Sequence, residues 1–544
     1  MDAITQVPLP ANEPVHDYAP HSLERGRLVA ALHALAADPI DLPHVIAGEH
    51  RLGEGERVDV VQPHRHRHRL GTLTNATRAD AAAAIEAAMA AKNEWAATPF
   101  EERAAVFLRA ADLLAGSWRE TLAAATMLGQ SKSAYQAEID APCELVDFWR
   151  FNVAFAHQIL AQQPISTPGV WNRLDYRPLD GFIYAITPFN FSAIAGNLPT
   201  APALMGNTVV WKPSITQTFA AYLTMQLLEA AGLPPGVINL VAGDGFAVSD
   251  VALADPRLAG IHFTGSPPTF QQLWRRVGTN IEHYHSYPRI VGETGGKDFV
   301  VAHASARPEV LRTALIRGAF DYQGQKCSAA SRAFIARSAW QQMGDELLDA
   351  AGALRYGDVT DLSNYGGALI DARAFAKNVA AIERAKSAAR ITVAVGGEYD
   401  NSEGYFVRPT VLLSDDPTDE AFACEYFGPI LAVYVYPDDA YEQILDLVDT
   451  GSKYALTGAV IADDRAAVQA AQRRLRFAAG NFYINDKPTG AVVGQQPFGG
   501  SRGSGTNDKA GSALNLLRWT SARAIKETFA PPTEHTYPHM AAPA

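Results

Sequence analysis

One cysteine of this chain lies in a setting that suits chemistry better than packing. Cys327 follows Gly324-Gln325-Lys326 and precedes Ser328, in a chain with only three cysteines. The stretch from Leu311 to Tyr322 predicts a helix, so the loop presents the thiol where a helix gives way to a strand. A lysine and backbone amides beside a thiol can lower its pKa, and the thiolate attacks electrophilic carbonyl groups. We predict that Cys327 is a nucleophile.

A carboxylate in a similar glycine-rich setting offers a second reacting group. Glu293 opens the stretch Glu293-Thr294-Gly295-Gly296-Lys297, upstream of the cysteine. Attack by a thiolate on a carbonyl gives an oxyanion, which the Asn190 amide and the backbone N–H of Cys327 would stabilise. If hydride then leaves to a nicotinamide, a thioester remains, and its hydrolysis needs a base of raised pKa. We predict that Glu293 is this general base.

Composition and charge exclude several function classes. The 544 residues carry a net charge of −12, which disfavours nucleic-acid binding because nucleic acids select basic surfaces. No apolar run approaches the roughly 18 residues of a membrane helix. The N-terminus fits neither a signal peptide nor a transit peptide. Cys143 and Cys424 supply no disulfide or zinc spacing, and we interpret both as inert. We expect a cytoplasmic enzyme.

A run of alternating histidine and arginine near the N-terminus could be a metal site. His64-Arg65-His66-Arg67-His68-Arg69 alternates two residue types with the period of a strand. Three histidines on one strand face can bind a metal, yet no neighbouring carboxylate or cysteine completes a site. We therefore interpret the run as a solvated edge strand beside Gly71, and we predict no metal.

Three stretches predict helices ahead of the strands. Asp80 to Lys92 is alanine-rich with an acidic first turn. Thr98-Pro99-Phe100-Glu101 has the pattern of a capping box, and the helix that it begins should end at Gly116. A third helix, near Ala137 to Ala156, should start or kink at Pro142.

From Phe182 onward, short apolar strands alternate with helices, which indicates a parallel sheet with ligands at the carboxyl ends of its strands. The fingerprint G-x-G-x-x-G is missing, since Gly243-Asp244-Gly245 has Val248 in place of the third glycine. A dinucleotide must therefore be held in another way. The predicted strands and helices are Phe182–Thr187, Thr208–Trp211, Phe219–Ala231, Val237–Val241, Gly260–Phe263, Glu309–Phe320, Arg332–Ile335, Trp340–Ala353, Ala374–Ala388, Ile391–Val395 and Ile430–Tyr436.

Six motifs, in their expected order, make the chain resemble the aldehyde dehydrogenase superfamily from roughly Asn75 to Ile525. They are Pro188-Phe189-Asn190, Trp211-Lys212-Pro213-Ser214, Phe263-Thr264-Gly265-Ser266, Glu293-Thr294-Gly295-Gly296-Lys297, Gly324-Gln325-Lys326-Cys327 and Glu425-Tyr426-Phe427-Gly428-Pro429. Further stretches resemble the Δ1-pyrroline-5-carboxylate dehydrogenases, or L-glutamate γ-semialdehyde dehydrogenases, within it. They are Ala137–Asp140, Phe189–Leu198, Cys327–Ala329, Asn481–Lys487 and Gln495–Gly500.

The resemblance implies oxidation of L-glutamate γ-semialdehyde to L-glutamate in proline catabolism, through a thiohemiacetal and a thioester on Cys327. It gives Glu293 the role of base and Asn190 that of oxyanion donor. It implies NAD as cofactor, with Lys212 at the adenosine ribose, Ser266 at the pyrophosphate and Glu425 and Phe427 at the nicotinamide ribose. Further cofactor-binding positions are Thr187, Ser214 and Gly265.

The resemblance also implies a substrate site. Phe191 and Phe498 would flank the aliphatic chain, and Ser328 with Gly490-Ala491 would hold the α-carboxylate. Glu144 would meet the α-ammonium group.

Two positions depart from the family pattern. Ala491 stands where some relatives have serine, so we expect weakened anchoring of the carboxylate. Ile215 stands where many NAD-preferring members have a glutamate that binds the ribose diol, so NADP stays open beside NAD.

The expected architecture is an α/β fold of the aldehyde dehydrogenase type, with two α/β domains of parallel-type sheets and a small β-flap. We expect a cofactor-binding domain of residues 1–164 and 185–292, to which 482–515 returns, and a catalytic domain of 293–481. Residues 165–184 and 516–544 would form the oligomerisation flap and the C-terminal tail. Expected partners are the small-molecule substrate, further copies in a homodimer or larger homo-oligomer, and a proline dehydrogenase.

Three other functions remain open at this point. A broader-specificity aldehyde dehydrogenase is the main alternative. A CoA-acylating relative generally lacks the base, so Glu293 argues against it. A catalytically silent relative is disfavoured because Cys327, Glu293 and Asn190 are all present.

Overall fold

Two seven-stranded sheets with helices packed on them dominate the structure, a computed structural model that describes residues 4–542. The first three and last two residues, which belong to the predicted first domain and the predicted tail, lie outside the described residues. The helices are α1 (Leu23–Ala37), α2 (Arg78–Ala97), α3 (Phe100–Ala115), α4 (Arg119–Gln130), α5 (Ala134–Glu138), α6 (Glu144–Leu160), α7 (Ser192–Leu204), α8 (Thr218–Ala230), α9 (Gly245–Ala252), α10 (Pro267–Thr279), α11 (Pro308–Phe320), α12 (Arg337–Ala353), α13 (Ala372–Ser387), α14 (Tyr441–Thr450), α15 (Arg465–Arg474) and α16 (Ala513–Leu517).

The strands form the two large sheets, one three-stranded sheet and three two-stranded pairs within the described residues. They are β1 (Ile40–Asp41), β2 (His44–Ile46), β3 (Glu49–Arg51), β4 (Arg57–Gln62), β5 (Arg65–Thr74), β6 (Val170–Arg177), β7 (Phe182–Thr187), β8 (Thr208–Pro213), β9 (Ile238–Leu240), β10 (Leu258–Thr264), β11 (Arg289–Glu293), β12 (Asp298–Ala302), β13 (Ala330–Ala336), β14 (Ile391–Val395), β15 (Tyr399–Asp400), β16 (Phe406–Val407), β17 (Thr410–Ser414), β18 (Ile430–Tyr436), β19 (Tyr454–Ala455), β20 (Thr457–Ile461), β21 (Asn481–Ile484), β22 (Ser501–Arg502) and β23 (Ser521–Thr528).

The first large sheet has the order β11-β10-β7-β8-β9-β2-β3. Strands β11 to β9 run parallel, and β2 and β3 continue the sheet antiparallel. Ile183 of β7 packs in a core shared with α4, α6 and α7, whereas Tyr184 joins the core of α2, α9 and α10 on the opposite face. Because both faces are buried, these strands are continuously apolar in the sequence.

The second large sheet has the order β14-β17-β18-β13-β12-β20-β21 and is parallel except for β14. One core joins its strands to helices α11 to α15. Only Thr294–Lys297 separates the end of β11 from the start of β12. This short link places the carboxyl edge of the first sheet next to the amino edge of the second.

A separate pair of strands stands apart from both sheets. β6 pairs antiparallel with β23 along its whole length, from Val170 opposite Thr528 to Arg177 opposite Ser521. Neither strand joins another sheet within residues 4–542, and Trp171 is 53% exposed. The predicted fold class, two α/β units with largely parallel sheets and a small β-flap, is confirmed. The domain ranges and the flap's role in oligomerisation stay predictions.

Several predicted elements have the predicted limits, and one cap is wrong. The strands β7, β14 and β18 begin and end where the sequence indicated. The capping box at Thr98 does not form, since α2 continues to Ala97 and the Thr98 hydroxyl donates to the carbonyl oxygen of Glu94 at 3.0 Å. The following helix begins without a side-chain cap and ends before Gly116 as predicted.

The histidine–arginine run forms a solvated strand edge, as predicted. From Arg65 onward it lies in β5, which β1 joins only at Gly71 and Thr72, so within the sheet β1-β5-β4 the run itself pairs with β4 alone. Arg65, Arg67 and Arg69 are exposed. Nε2 of His66 lies 2.9 Å from the carbonyl oxygen of Asn401, and Nε2 of His68 lies 2.9 Å from that of Ala36. In the described part of the chain, no three histidine, cysteine or acidic side chains are grouped as a metal site, and no helix there is long and apolar enough to cross a membrane.

Pro142 distorts the helical stretch that was predicted from Ala137. Ile139–Cys143 forms a π-helical turn between α5 and α6, as expected where a proline removes a backbone donor. Asp140 in this turn accepts a hydrogen bond from Nζ of Lys132 at 2.6 Å, and both side chains are buried. Burial lowers the pKa of Lys132 to about 8, although the Asp140 carboxylate opposes this shift.

We expect Asp140→Asn to destabilise the protein by about 3–5 kcal/mol, since the buried ammonium of Lys132 would lose its ion-pair partner. The thermal midpoint measured by scanning calorimetry should fall by several degrees. Asp463→Asn is the matched control, because its pair with Arg307 is exposed and worth about 1 kcal/mol or less. Equal shifts in the two variants would contradict the prediction.

Candidate active site

Cys327 follows a turn of left-handed backbone. After α11, φ is 50° at Tyr322, 54° at Gln323 and 64° at Gly324. A Cβ at position 324 would lie 2.2 Å from the carbonyl oxygen of Gly428, so the position requires glycine. Each non-glycine residue in this conformation costs about 1–3 kcal/mol, and the surrounding contacts must therefore hold the turn.

Two glutamine side chains hold it. Gln323 donates from Nε2 to the carbonyl oxygens of Ser131 at 2.9 Å and Ala368 at 2.8 Å. Gln325 accepts at Oε1 from the backbone N–H of Ile370 at 2.9 Å. Both glutamines are buried, so these bonds have no competition from solvent.

The predicted oxyanion donor lies beside the same loop. Asn190, between β7 and α7, donates from Nδ2 to the carbonyl oxygen of Gln325 at 3.0 Å. An amide nitrogen carries two hydrogens, so one remains for a ligand. The hydrogen bond thus fixes Asn190 next to the loop of Cys327 without using up its donor capacity.

Cys327 lines two adjoining spaces. One is a cavity of about 80 Å³ that Glu293 also lines, together with the predicted substrate residues Glu144, Phe191, Ser328, Gly490, Ala491 and Phe498. The other is a narrow cleft lined by the predicted cofactor residues Glu425 and Phe427. The structure therefore brings the thiol, the carboxyl group of Glu293 and the substrate residues to one cavity, with the thiol at its border with the cleft.

The surroundings of Cys327 favour the neutral thiol. Burial raises its pKa well above the ordinary value, and the carboxylates of Asp298, Glu425 and Glu293 raise it further. Asp298 begins β12, and burial raises its own pKa as well. The thiolate must therefore form against both desolvation and nearby negative charge.

The expectation that Lys326 lowers the pKa of the neighbouring thiol is wrong. The Lys326 ammonium donates to Oε1 of Gln136 and lies 3.3 Å from Oδ2 of Asp140. It also lies 5.7 Å from the ring centroid of Phe191. The Lys326 side chain therefore contacts the helical region around Gln136 and Asp140.

Glu293 has the environment of a general base. Burial raises the pKa of its carboxyl group well above the usual range, although the backbone N–H of Gly500, 3.0 Å from Oε2, and the Lys509 ammonium oppose this shift. Nζ of Lys509 donates to the carbonyl oxygens of Gly480 at 2.8 Å and Gly499 at 3.1 Å. Lys509 was not predicted from the sequence, where its only local signal was a lysine within a glycine-rich segment.

The same cavity also has polar lining residues. The hydroxyl oxygens of Ser328 and Thr489 lie 2.8 Å apart, and Thr489 directly precedes Gly490-Ala491. Thr489 was not predicted. Burial raises the pKa of Glu144 well above its usual range, and the nearby Asp140 carboxylate adds to the shift.

A larger cavity of about 880 Å³ adjoins the first. Glu144 and the segment Gly490–Val493 line both spaces. Its wall carries charges of both signs, among them Arg317, Lys487 and Asp321, and Arg317 is exposed. The larger cavity therefore extends to exposed residues and shares part of its wall with the space around the thiol.

Most predicted cofactor residues lie at the carboxyl edge of the first sheet. They are Thr187 at the end of β7, Lys212 and Ser214 at the end of β8, and Gly265 and Ser266 after β10. Ser266 caps α10, its hydroxyl accepting from the backbone N–H of Thr269 at 3.3 Å. A helix N-terminus attracts anions, which suits a pyrophosphate.

The donor set fits a dinucleotide. Burial lowers the pKa of Lys212 to about 8, and Nζ has no hydrogen-bond or ion-pair partner within residues 4–542. Glu425 accepts at Oε1 from the backbone N–H of Gly296 at 3.0 Å. A Cβ at Gly295 would lie 2.2 Å from Oε2 of Glu425, so the glycine admits this carboxylate to the cleft. An amine and a carboxylate so placed are suited to ribose hydroxyl groups.

Comparison with known proteins gives concordant matches. The aldehyde dehydrogenase family model matches residues 50–525. The probable delta-1-pyrroline-5-carboxylate dehydrogenase of Schizosaccharomyces pombe is 47% identical over an alignment of 550 positions. This alignment covers 99% of this chain and 100% of that one. The crystal structure of the Delta-pyrroline-5-carboxylate dehydrogenase from Mycobacterium tuberculosis bound with NAD has 82% identity, a TM-score of 0.97 and coverage of 100% of both chains. Proline utilization A from Bdellovibrio bacteriovorus has 29% identity and a TM-score of 0.91, covering 98% of this chain and 55% of that one.

We expect alkylation of Cys327 by iodoacetamide to be slow at pH 7 and to keep accelerating above pH 9. A raised pKa leaves less thiolate at neutral pH, and only the thiolate reacts. Mass spectrometry of the labelled peptides measures the rate at each cysteine, with the exposed Cys424 as internal reference. Faster labelling of Cys327 than of Cys424 at pH 7 would overturn the prediction.

Proposed function

This chain belongs to the aldehyde dehydrogenase family, and we propose that it oxidises L-glutamate γ-semialdehyde, the open form of Δ1-pyrroline-5-carboxylate, to L-glutamate with NAD. The observation that carries the proposal is the single cavity shared by Cys327, Glu293 and the substrate residues. A full-length relative named for this activity supports it. The reaction belongs to proline catabolism.

In the proposed mechanism the chain's own groups carry out the covalent steps. The Cys327 thiol gives up its proton to solvent, and its Sγ then bonds to the aldehyde carbon while the carbonyl π electrons move onto the oxygen. The free N–H of Asn190 stabilises the resulting oxyanion. NAD, when bound, supplies the hydride acceptor. Oxidation leaves a thioester on Cys327, and Glu293 takes a proton from the water that attacks it, so that the carboxylate product and the free thiol are released.

The polar wall of the cavity accounts for the choice of an amino-acid aldehyde. The α-carboxylate would bind at the Ser328 hydroxyl and the backbone N–H groups of Gly490 and Ala491. Glu144 would meet the α-ammonium. The rings of Phe191 and Phe498 would flank the chain between them. Because Ala491 has no hydroxyl, the backbone donors carry more of the anchoring.

The proposed cofactor is NAD. The relative from Mycobacterium tuberculosis was crystallised with it, and the donor set around Lys212 and Glu425 suits a dinucleotide. Ile215 offers no charge to repel a 2′-phosphate. Turnover with NADP is therefore measured alongside that with NAD.

We also propose a homodimer or larger homo-oligomer that forms through the β6–β23 pair, whose outer edges are unpaired within the described residues. Association with a proline dehydrogenase belongs to the same proposal, supported by the match to part of proline utilization A. A cytoplasmic location is proposed because the described cysteines are all free, as in a reducing compartment.

We expect kcat/KM for Δ1-pyrroline-5-carboxylate to exceed that for propanal at least about a hundred-fold, since polar groups built for a carboxylate and an ammonium discriminate strongly against an analogue without them. NADH formation is followed for both aldehydes, with and without CoA. Comparable values would indicate the broader-specificity alternative, and a requirement for CoA an acylating enzyme. Oxidation of propanal without turnover of the pyrroline would refute the proposed function.

Glu293→Gln should oxidise the aldehyde once and then stall. We expect a burst of about one NADH per active site, followed by a steady rate about 10²–10⁴ lower than that of the unmodified chain, the range that a general base contributes. Rapid mixing resolves the two phases. Cys327→Ala is the control, with no burst but with NAD binding intact by calorimetry. Equal loss of burst and steady rate in Glu293→Gln would remove the residue from the hydrolytic step.

A further inference from the structure

The segment Asn12–Tyr18, here called the N-terminal strap, lies outside the part of the chain that the aldehyde dehydrogenase family model matches, residues 50–525. It contains no helix or strand. Its residues in the wall of the larger cavity are Asn12, Glu13, Val15, Asp17 and Tyr18. The strap therefore lines a cavity that shares its wall with the space around the thiol.

Two buried carboxylates hold the strap in place. Glu138 accepts from the backbone N–H of His16 at 2.9 Å and from the hydroxyl of Tyr18 at 2.6 Å. Asp147 accepts from the backbone N–H of Glu13 at 2.7 Å. Buried bonds to charged acceptors are among the stronger hydrogen bonds of a protein, so the strap is a fixed part of the wall.

One side chain of the strap reaches the loop proposed to hold the substrate's carboxylate. Asn12 donates from Nδ2 to Oδ2 of Asp147 at 2.8 Å and to the carbonyl oxygen of Val493 at 2.8 Å. Its Oδ1 accepts from Nε2 of Gln495 at 2.9 Å. Asn12 thereby ties α6 to residues Gly490–Gln496, here called the anchor loop.

The anchor loop is braced internally as well. The backbone N–H of Val492 donates to Oε1 of Gln496 at 2.9 Å, and the backbone N–H of Gln496 donates to the carbonyl oxygen of Val492. A displacement at Val493 would therefore move the loop as one body. Ala491 has no hydroxyl that could adapt to a shifted substrate carboxylate, so the backbone N–H groups of the loop must point at that carboxylate. Hydrogen bonds weaken steeply when donor and acceptor are misaligned.

We propose that the N-terminal strap is a specificity-determining element, in which Asn12 is a positioning residue that aims the anchor loop at the α-carboxylate of the substrate. The inference rests on the proposed function. Selection of amino-acid aldehydes over simple aldehydes then depends on a segment that precedes the family-matched region. The chemistry at Cys327 itself does not involve the strap.

The test is Asn12→Ala, with Leu9→Ala as control, because Leu9 lies just before the strap and its side chain is 95% exposed. We expect KM for Δ1-pyrroline-5-carboxylate to rise about ten-fold, which corresponds to roughly 1.4 kcal/mol, while kcat and the KM for NAD change less than about two-fold. Propanal oxidation should be unaffected, since propanal has no carboxylate. L-Glutamate should also inhibit propanal oxidation more weakly in this variant than in the unmodified chain.

Gln495→Ala removes the hydrogen bond from Gln495 to Asn12 at an exposed position. This variant replaces Asn12→Ala in the test if Asn12→Ala does not fold. Gln495→Ala should raise KM for Δ1-pyrroline-5-carboxylate and weaken inhibition by L-glutamate, both by less than Asn12→Ala does. Unchanged KM and inhibition in a folded Asn12→Ala variant, or equal losses for both aldehydes, would overturn the proposal. Failure of the proposed function looks different, because the unmodified chain would then oxidise propanal but not the pyrroline.

Discussion

The geometry of this site depends on the left-handed turn that ends α11. Three consecutive positive φ values, at Tyr322, Gln323 and Gly324, reverse the chain within a few residues and deliver Cys327 to the gap between the two large sheets. Such backbone is unfavourable for the two residues with side chains, and it persists because Gln323 and Gln325 bond to backbone groups of two other segments, at Ser131 and at Ala368 and Ile370. The position of the thiol is therefore set by contacts distant in sequence.

Desolvation is the second constraint, and it acts on the nucleophile and the base in complementary ways. Burial raises the pKa of both Cys327 and Glu293, and the Glu293 carboxylate further disfavours the thiolate. The same low dielectric that makes the thiolate costly makes the carboxylate a stronger base. Such a buried site disfavours two negative charges at the same time. This suits an order of steps in which the thiol is first converted to a thioester and the carboxyl group activates water only afterwards.

Local sequence predicted much of this arrangement, and long-range contacts account for what it missed. Glycine context singled out Cys327 and Glu293, and apolar periodicity gave β7 its observed limits. The expected effect of Lys326 on the pKa of the thiol was wrong because adjacency in sequence does not decide which group an ammonium contacts. Lys509 and Asn12 were missed for a related reason, since their partners Gly480 and Val493 are brought to them only by the tertiary fold.

The buried ion pair of Lys132 and Asp140 links segments that are distant in sequence. A buried ion pair adds little net stability over a well-packed apolar pair, so stability alone does not explain it. Its ammonium lies 2.6 Å from Asp140 in the π-helical turn, 4.2 Å from the ring centroid of Phe191 and 4.3 Å from that of Tyr322. One charge thus joins the distorted helix, a proposed substrate residue and the left-handed turn. An apolar replacement would fill the volume but lose this directional link, so the pair is better explained by positioning than by stability.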